Sequence, residues 1–119
     1  MNEKTGDGSD LLQKGIDLFN AGEYFECHEV LEMLWNMQCD PEKQFTQALI
    51  QIAVGCYHLD RENIEGAVKL FTRGLVRIRQ FAPTHEGLDV DGLILQIDNL
   101  LLDRKMSSMP RISSSQSQR

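Results

Sequence analysis

No apolar run in this sequence approaches the roughly 20 residues that a membrane-spanning helix needs. Its opening, MNEKTGDGSD, lacks the apolar stretch of a secretory signal. A soluble, cytoplasmic protein is expected. Cysteine is scarce: Cys27, Cys39 and Cys56 show no CxxC spacing, and an odd number cannot pair completely within one chain, which argues against a disulfide framework. Cys27 and Cys56 fall among apolar residues at helical spacing and are expected to be reduced core residues, whereas Cys39, in QCDPEK, is expected in a loop. Basic charge is also short. Twelve Lys and Arg face 18 Asp and Glu, a net charge of -6, so the field of the molecule opposes a nucleic-acid backbone. A glycine-rich phosphate loop and a GxSxG elbow are both missing, which counts against nucleotide hydrolysis and serine hydrolase chemistry. Alternating apolar and polar runs of the kind that make strands are missing too.

What is present is helical periodicity within 119 residues, enough for one hydrophobic core. Residues 1–9 and the Ser-rich tail 106–119 carry no apolar stripe and are expected to be disordered, leaving a single helical domain over 10–105. Five helices are predicted there, at about 10–20, 23–37, 41–59, 63–80 and 90–105. Asp10 and Asn63 read as N-caps, Gly22 as a stop, and Asp40 with Pro41 as a cap and first helical residue. The longest connection, APTHEGLDVDG, holds His85, which reads as solvated. An internal echo lays NAGEYFECHEVLEML over DRENIEGAVKLFTRG. The expected architecture is therefore all-α: two stacked antiparallel helical hairpins, similar to tetratricopeptide pairs, sealed by a C-terminal helix.

Polar residues at core-facing positions mark the candidate site. On the second helix Cys27, Val30, Leu31 and Leu34 form the core stripe, with His28 and Glu32 at its margin and Glu29 further round. The third helix is apolar in nearly every direction, and its polar residues Gln47, Gln51 and His58 fall near one line. Such groups need partners, since a buried unsatisfied group costs about 1 to 3 kcal/mol. A cluster of His28, Glu29, Glu32, Gln47, Gln51 and His58 across the first hairpin interface is expected, flanked by Tyr24, Trp35 and Tyr57. It has two readings. One is a hydrogen-bonded seam that fixes how the hairpins stack. The other is acid–base chemistry, or a divalent metal held by His28, Glu32 and His58. HEVLE has glutamate where the zincin motif HExxH has histidine, and neither histidine is preceded by the glutamate of ExxH.

The segments LFNAGEYFECHEVLEMLW, QALIQIAVGCYHL and EGAVKLF resemble a family of small bacterial, archaeal and plastid-lineage proteins, domain of unknown function 309. Phe19, Gly22, Tyr24, Phe25, His28, Glu29, Glu32, Trp35, Gln51 and Gly66 match its motif, while Cys27 stands where alanine is expected. The resemblance covers about Leu11 to Phe81. It implies stacked helical hairpins, marks His28, Glu29 and Glu32 as motif residues, and allows a plastid-stromal location for a plastid-lineage member. It implies no activity. The function expected is a non-enzymatic helical module that binds a protein partner or a second copy of itself, with no cofactor and neither nucleic acid nor membrane as partner. The alternative is a metal-dependent or acid–base enzyme, a hydrolase for instance, built on His28, Glu29, Glu32 and His58.

Overall fold

The structure is a computed structural model that describes residues 8–103 and 108–115. The helices are α1 (Gly8–Asn20), α2 (Tyr24–Met37), α3 (Glu42–Asp60), α4 (Ile64–Ile78) and α5 (Val90–Asp103). A single 3-10 turn, Arg79–Phe81, follows α4, and two short strands, β1 (Thr84–His85) and β2 (Leu88–Asp89), precede α5. The all-α expectation holds. Among the described residues no helix is long and apolar enough to cross a membrane.

The internal echo is a repeat of turn chemistry. At the end of α1 the Glu23 N–H donates to the Leu18 carbonyl (2.9 Å) and the Gly22 N–H to the Phe19 carbonyl (3.0 Å), with Gly22 at φ +82. This is a Schellman closure, in which a left-handed residue satisfies the last carbonyls of a helix. α3 closes in the same way. Asn63 N–H donates to the His58 carbonyl (2.8 Å) and Glu62 N–H to the Leu59 carbonyl (3.0 Å), with Glu62 at φ +62 in the place of Gly22. Each turn reverses the chain, so α1 lies antiparallel to α2 and α3 to α4. Asn63 caps α4 as expected, its Oδ1 accepting from the Gly66 N–H at 3.1 Å.

The core is built around α3, whose Phe45, Ala48, Leu49, Ile52, Ala53 and Cys56 are buried. α4 approaches it closely because Gly74 has no side chain; a Cβ there would lie 2.7 Å from Ile52 Cγ1. Phe71 and Ile78 then reach the same core layer with 0% exposure. α5 seals the open side with Val90, Leu93, Ile94, Ile97 and Leu100 buried. It starts at Val90 because the Asp89 carboxylate accepts from the Gly92 N–H at 2.9 Å. The predicted end of this helix at Lys105 lies outside the described residues.

Four expectations need correction. α1 begins at Gly8, so Asp10 lies within its first turn and is not its N-cap; the disorder expected of residues 1–7 falls outside the described residues. α3 begins at Glu42 after Pro41, without a side-chain cap; the Lys43 N–H finds the Cys39 carbonyl (3.0 Å), so Asp40 is not its cap. The connection before α5 contains a hairpin, with Thr84 opposite Asp89 and His85 opposite Leu88. Two-residue strands are too short to show alternation. Finally, residues 108–115 of the Ser-rich tail strap across the domain. Ile112 is buried, and its N–H and C=O are held by Asn20 Oδ1 (2.9 Å) and Nδ2 (2.8 Å). Gln96 holds the N–H and C=O of Arg111 in the same way (2.8 and 2.9 Å). Beyond that clamp, Ser113 accepts from the Asp89 N–H and Ser115 donates to the Gly87 carbonyl, both at 2.8 Å.

Candidate functional site

The six predicted residues divide into separate groups. On α2, His28 Nε2 meets Glu32 Oε2 at 3.1 Å, one helical turn away, with Glu32 largely in solvent. Glu29 is exposed on the same helix. On α3, Gln51 turns toward α4 and lines a cleft of about 400 Å³ with Gln44, Thr72, Val76 and Arg77. Its Oε1 is buried without a hydrogen-bond partner. His58 lies at the far end of the helix, where Nδ1 pairs with Asn63 Nδ2 at 3.3 Å. Gln47 is half-buried. Among the described residues no hydrogen bond or ion pair joins His28, Glu29 or Glu32 to Gln47, Gln51 or His58, and the cluster is not a connected network.

Each histidine is paired within its own neighbourhood, His28 with Glu32 and His58 with Asn63. The Phe25 ring, about half exposed, has its centroid 6.0 Å from His28 and 6.2 Å from Tyr57, so an aromatic contact rather than a polar one links this flank of α2 to the end of α3. The flanking aromatics are likewise occupied. Tyr24 is buried edge-on against Phe19 at 5.5 Å, Trp35 carries Lys43 Nζ 4.0 Å above its ring, and Tyr57 receives the Arg61 guanidinium at 5.1 Å. Burial pushes the Tyr24 hydroxyl and the Cys27 thiol each up to about 12, and it also raises the Cys56 thiol, with Cys27 and Asp60 adding to the effect. Cys27 and Cys56 are free, buried thiols, which such shifts keep protonated and unreactive.

Another constellation was not legible in the sequence. His85, expected to be solvated, is mostly buried, and its Nε2 lies 2.8 Å from Glu42 Oε1 at the start of α3. The ring packs against both Phe45 and Phe81, with centroids 4.5 and 4.7 Å away. Glu86 follows it. Glu42, His85 and Glu86 each offer a ligand atom, and these atoms lie within 4.8 Å of one another; it is the only group of this kind among the described residues. His28, Glu32 and His58 are not such a group. Glu42 and Glu86 stand on a cleft of about 410 Å³ whose wall includes Gln38, Cys39, Phe45 and Thr46. Two buried polar atoms in that wall, Thr46 Oγ1 and Gln38 Oε1, have no hydrogen-bond partner among the described residues. The only sequence trace of this arrangement is the Glu-Gly pair at 86–87, a weak hairpin signal.

These features define a compact domain of stacked helical hairpins with an acidic surface helix and a His/Glu cleft. The chain belongs to the family described as Domain of unknown function (DUF309), whose model matches residues 12–70. It is also 35% identical over 86 residues to the Uncharacterized protein YpuF of Bacillus subtilis (strain 168), an alignment that covers 69% of this chain and 48% of the relative. The chain thus spans about half the length of this curated relative. The family match contains most of α1, all of α2 and α3 and the first half of α4, hence His28, Glu29 and Glu32, but not His85 or Glu86.

Proposed function

We propose that the domain is a non-enzymatic docking module whose α2 surface receives a basic amphipathic helix of a partner protein. The observation that carries this reading is the make-up of one solvent-facing arc. At 100° per residue, Phe25, Glu26, Glu29, Glu32, Met33 and Met37 share about 140° of the helix. Phe25, Met33 and Met37 are 52%, 56% and 52% exposed, all three glutamates are exposed, and α2 contains no lysine or arginine. Removing that apolar surface from water is worth about 25 cal/mol per Å². Lysine or arginine on the flanks of the incoming helix would reach the glutamates. Methionines repack around differently shaped partners, which suits a groove of this kind, and the net charge of -6 steers a cation toward it.

The enzyme reading built on His28, Glu29, Glu32 and His58 has less support. His28 is already paired to Glu32 and His58 to Asn63, so they share no reacting centre. The docking reading is tested by fluorescence anisotropy with a labelled Leu/Lys amphipathic peptide of about 18 residues, against a Leu/Glu counterpart, at roughly 150 mM salt so that weak surface charge effects are screened. The basic peptide should bind and the acidic one should not. The double variant Glu29→Lys/Met33→Ser should weaken binding by at least about tenfold, or 1.4 kcal/mol. Equal binding of the two peptides, or no change in the variant, removes the reading. A mass that rises with concentration in sedimentation and is restored to monomer by the same variant would make a second copy the occupant instead.

A further inference from the structure

We propose that Glu42, His85 and Glu86 form a binding site for a divalent transition-metal ion at the mouth of the cleft beside α3, with ligands that take no part in the docking surface on α2, although Met37 lines the cleft as well. Two distant segments supply the donors. Glu42 opens α3, whereas His85 and Glu86 belong to the hairpin, and their ligand atoms converge to within 4.8 Å of one another. An ion bonded tetrahedrally at about 2.0 to 2.2 Å holds its ligand atoms roughly 3.3 to 3.6 Å apart, so small side-chain rotations would close these three around it. One imidazole with two carboxylates is a nitrogen and oxygen set, which suits zinc, manganese or ferrous iron better than the soft cuprous ion.

The surroundings favour a ligand over a simple ion pair. Phe45 and Phe81 fix the plane of the His85 ring, as a pre-formed ligand requires. Glu86 sits at φ +51 beside Gly87 at φ +75, in a two-residue hairpin loop where asparagine, aspartate or glycine is the unstrained choice. A glutamate held there faces a local cost that a metal bond would offset. Thr46, 0% exposed, lines the same cleft as Glu42 and Glu86, and its Oγ1 has no partner. Buried hydroxyls are nearly always hydrogen-bonded. A water or anion oxygen held in the cleft would give Thr46 that bond. The open side of the site faces the cleft, so the ion would keep an exchangeable position.

The test is isothermal titration of the full chain with zinc chloride, with cobalt(II) absorption as a second readout of nitrogen and oxygen ligation. The expected result is one ion per chain, with His85→Gln and Glu86→Gln each weakening binding by at least about tenfold. Glu86→Asn should lose the ion equally while melting no lower than wild type in chelator, because asparagine relaxes the turn; this separates lost ligation from lost folding. His28→Gln and His58→Gln should bind as wild type does. Absence of zinc and cobalt binding in the wild type would overturn the proposal. So would unchanged affinity in the His85 and Glu86 variants, or loss of binding in the His28 or His58 variant.

Discussion

Replacing Asn20 by alanine should release the C-terminal strap and little else. The Asn20 amide makes two hydrogen bonds to the Ile112 backbone, at 2.8 and 2.9 Å. At about 0.5 to 1.5 kcal/mol net for each, Asn20→Ala is expected to cost about 1 to 3 kcal/mol, and Gln96→Ala, which strands the Arg111 backbone, a similar amount. The two losses should not add. The strap covers the end of α1, α5 and the hairpin, and it can detach while α3 stays folded; the total loss is therefore capped by the strap's own docking free energy. The double variant should be no less stable in urea than a chain lacking residues 108–119. Hydrogen exchange supplies a sharper test. In Asn20→Ala the amides of Ile112, Ser115 and Asp89, the last of which donates to Ser113 at 2.8 Å, should lose protection together, with α3 amides unaffected. Protection of Ser115 that survives in the double variant, or a double-variant loss exceeding that of the deletion, would refute the reasoning.

Two further outcomes follow from the core. Gly74→Ala forces a methyl to 2.7 Å from Ile52 Cγ1 and 3.4 Å from the Ala48 carbonyl; the overpacking should cost about 1 to 3 kcal/mol by chemical denaturation, despite the better helix propensity of alanine. A thermal midpoint equal to that of the wild type would mean that α4 can shift freely on α3. Alkaline pH should destabilise the fold. The unfolded chain releases its thiol protons near 9 and its tyrosine proton near 10, whereas burial keeps Tyr24 and Cys27 protonated up to about 12. Folded-state values above the unfolded ones give stability that is present at neutral pH and lost as pH rises through this window, at about 1.4 kcal/mol per pH unit for each group. Urea midpoints measured from about pH 8 to pH 10.5 should fall accordingly, and Cys27→Ala should flatten the slope; an unchanged slope in that variant would exclude Cys27 as a source.

By itself the sequence determined the five helices and the order in which they pair, because periodicity, caps and stops act over a few residues. Asn63 capping α4 and Gly22 closing α1 are local events, and the repeat that links Gly22 to Glu62 was visible as an internal echo. The make-up of the α2 surface was only partly local: the wheel turned Glu26 outward but placed Glu29 and Glu32 toward α3, whereas all three are exposed with Met33 and Met37. Which polar groups meet was decided only in three dimensions. The wheel put His28 and His58 at the margins of their helices, but each pairs locally, His28 with Glu32 and His58 with Asn63. Conversely, Glu42 and His85 are 43 positions apart in sequence, and no periodicity connects a helix start to a hairpin. The two side chains meet because Phe45 and Phe81 pack against each other at 5.1 Å and bring the hairpin down onto the first turn of α3. The tail was misread for the same reason: its backbone is held by Asn20 and Gln96, side chains whose reach across the fold exists only once α1 and α5 have packed.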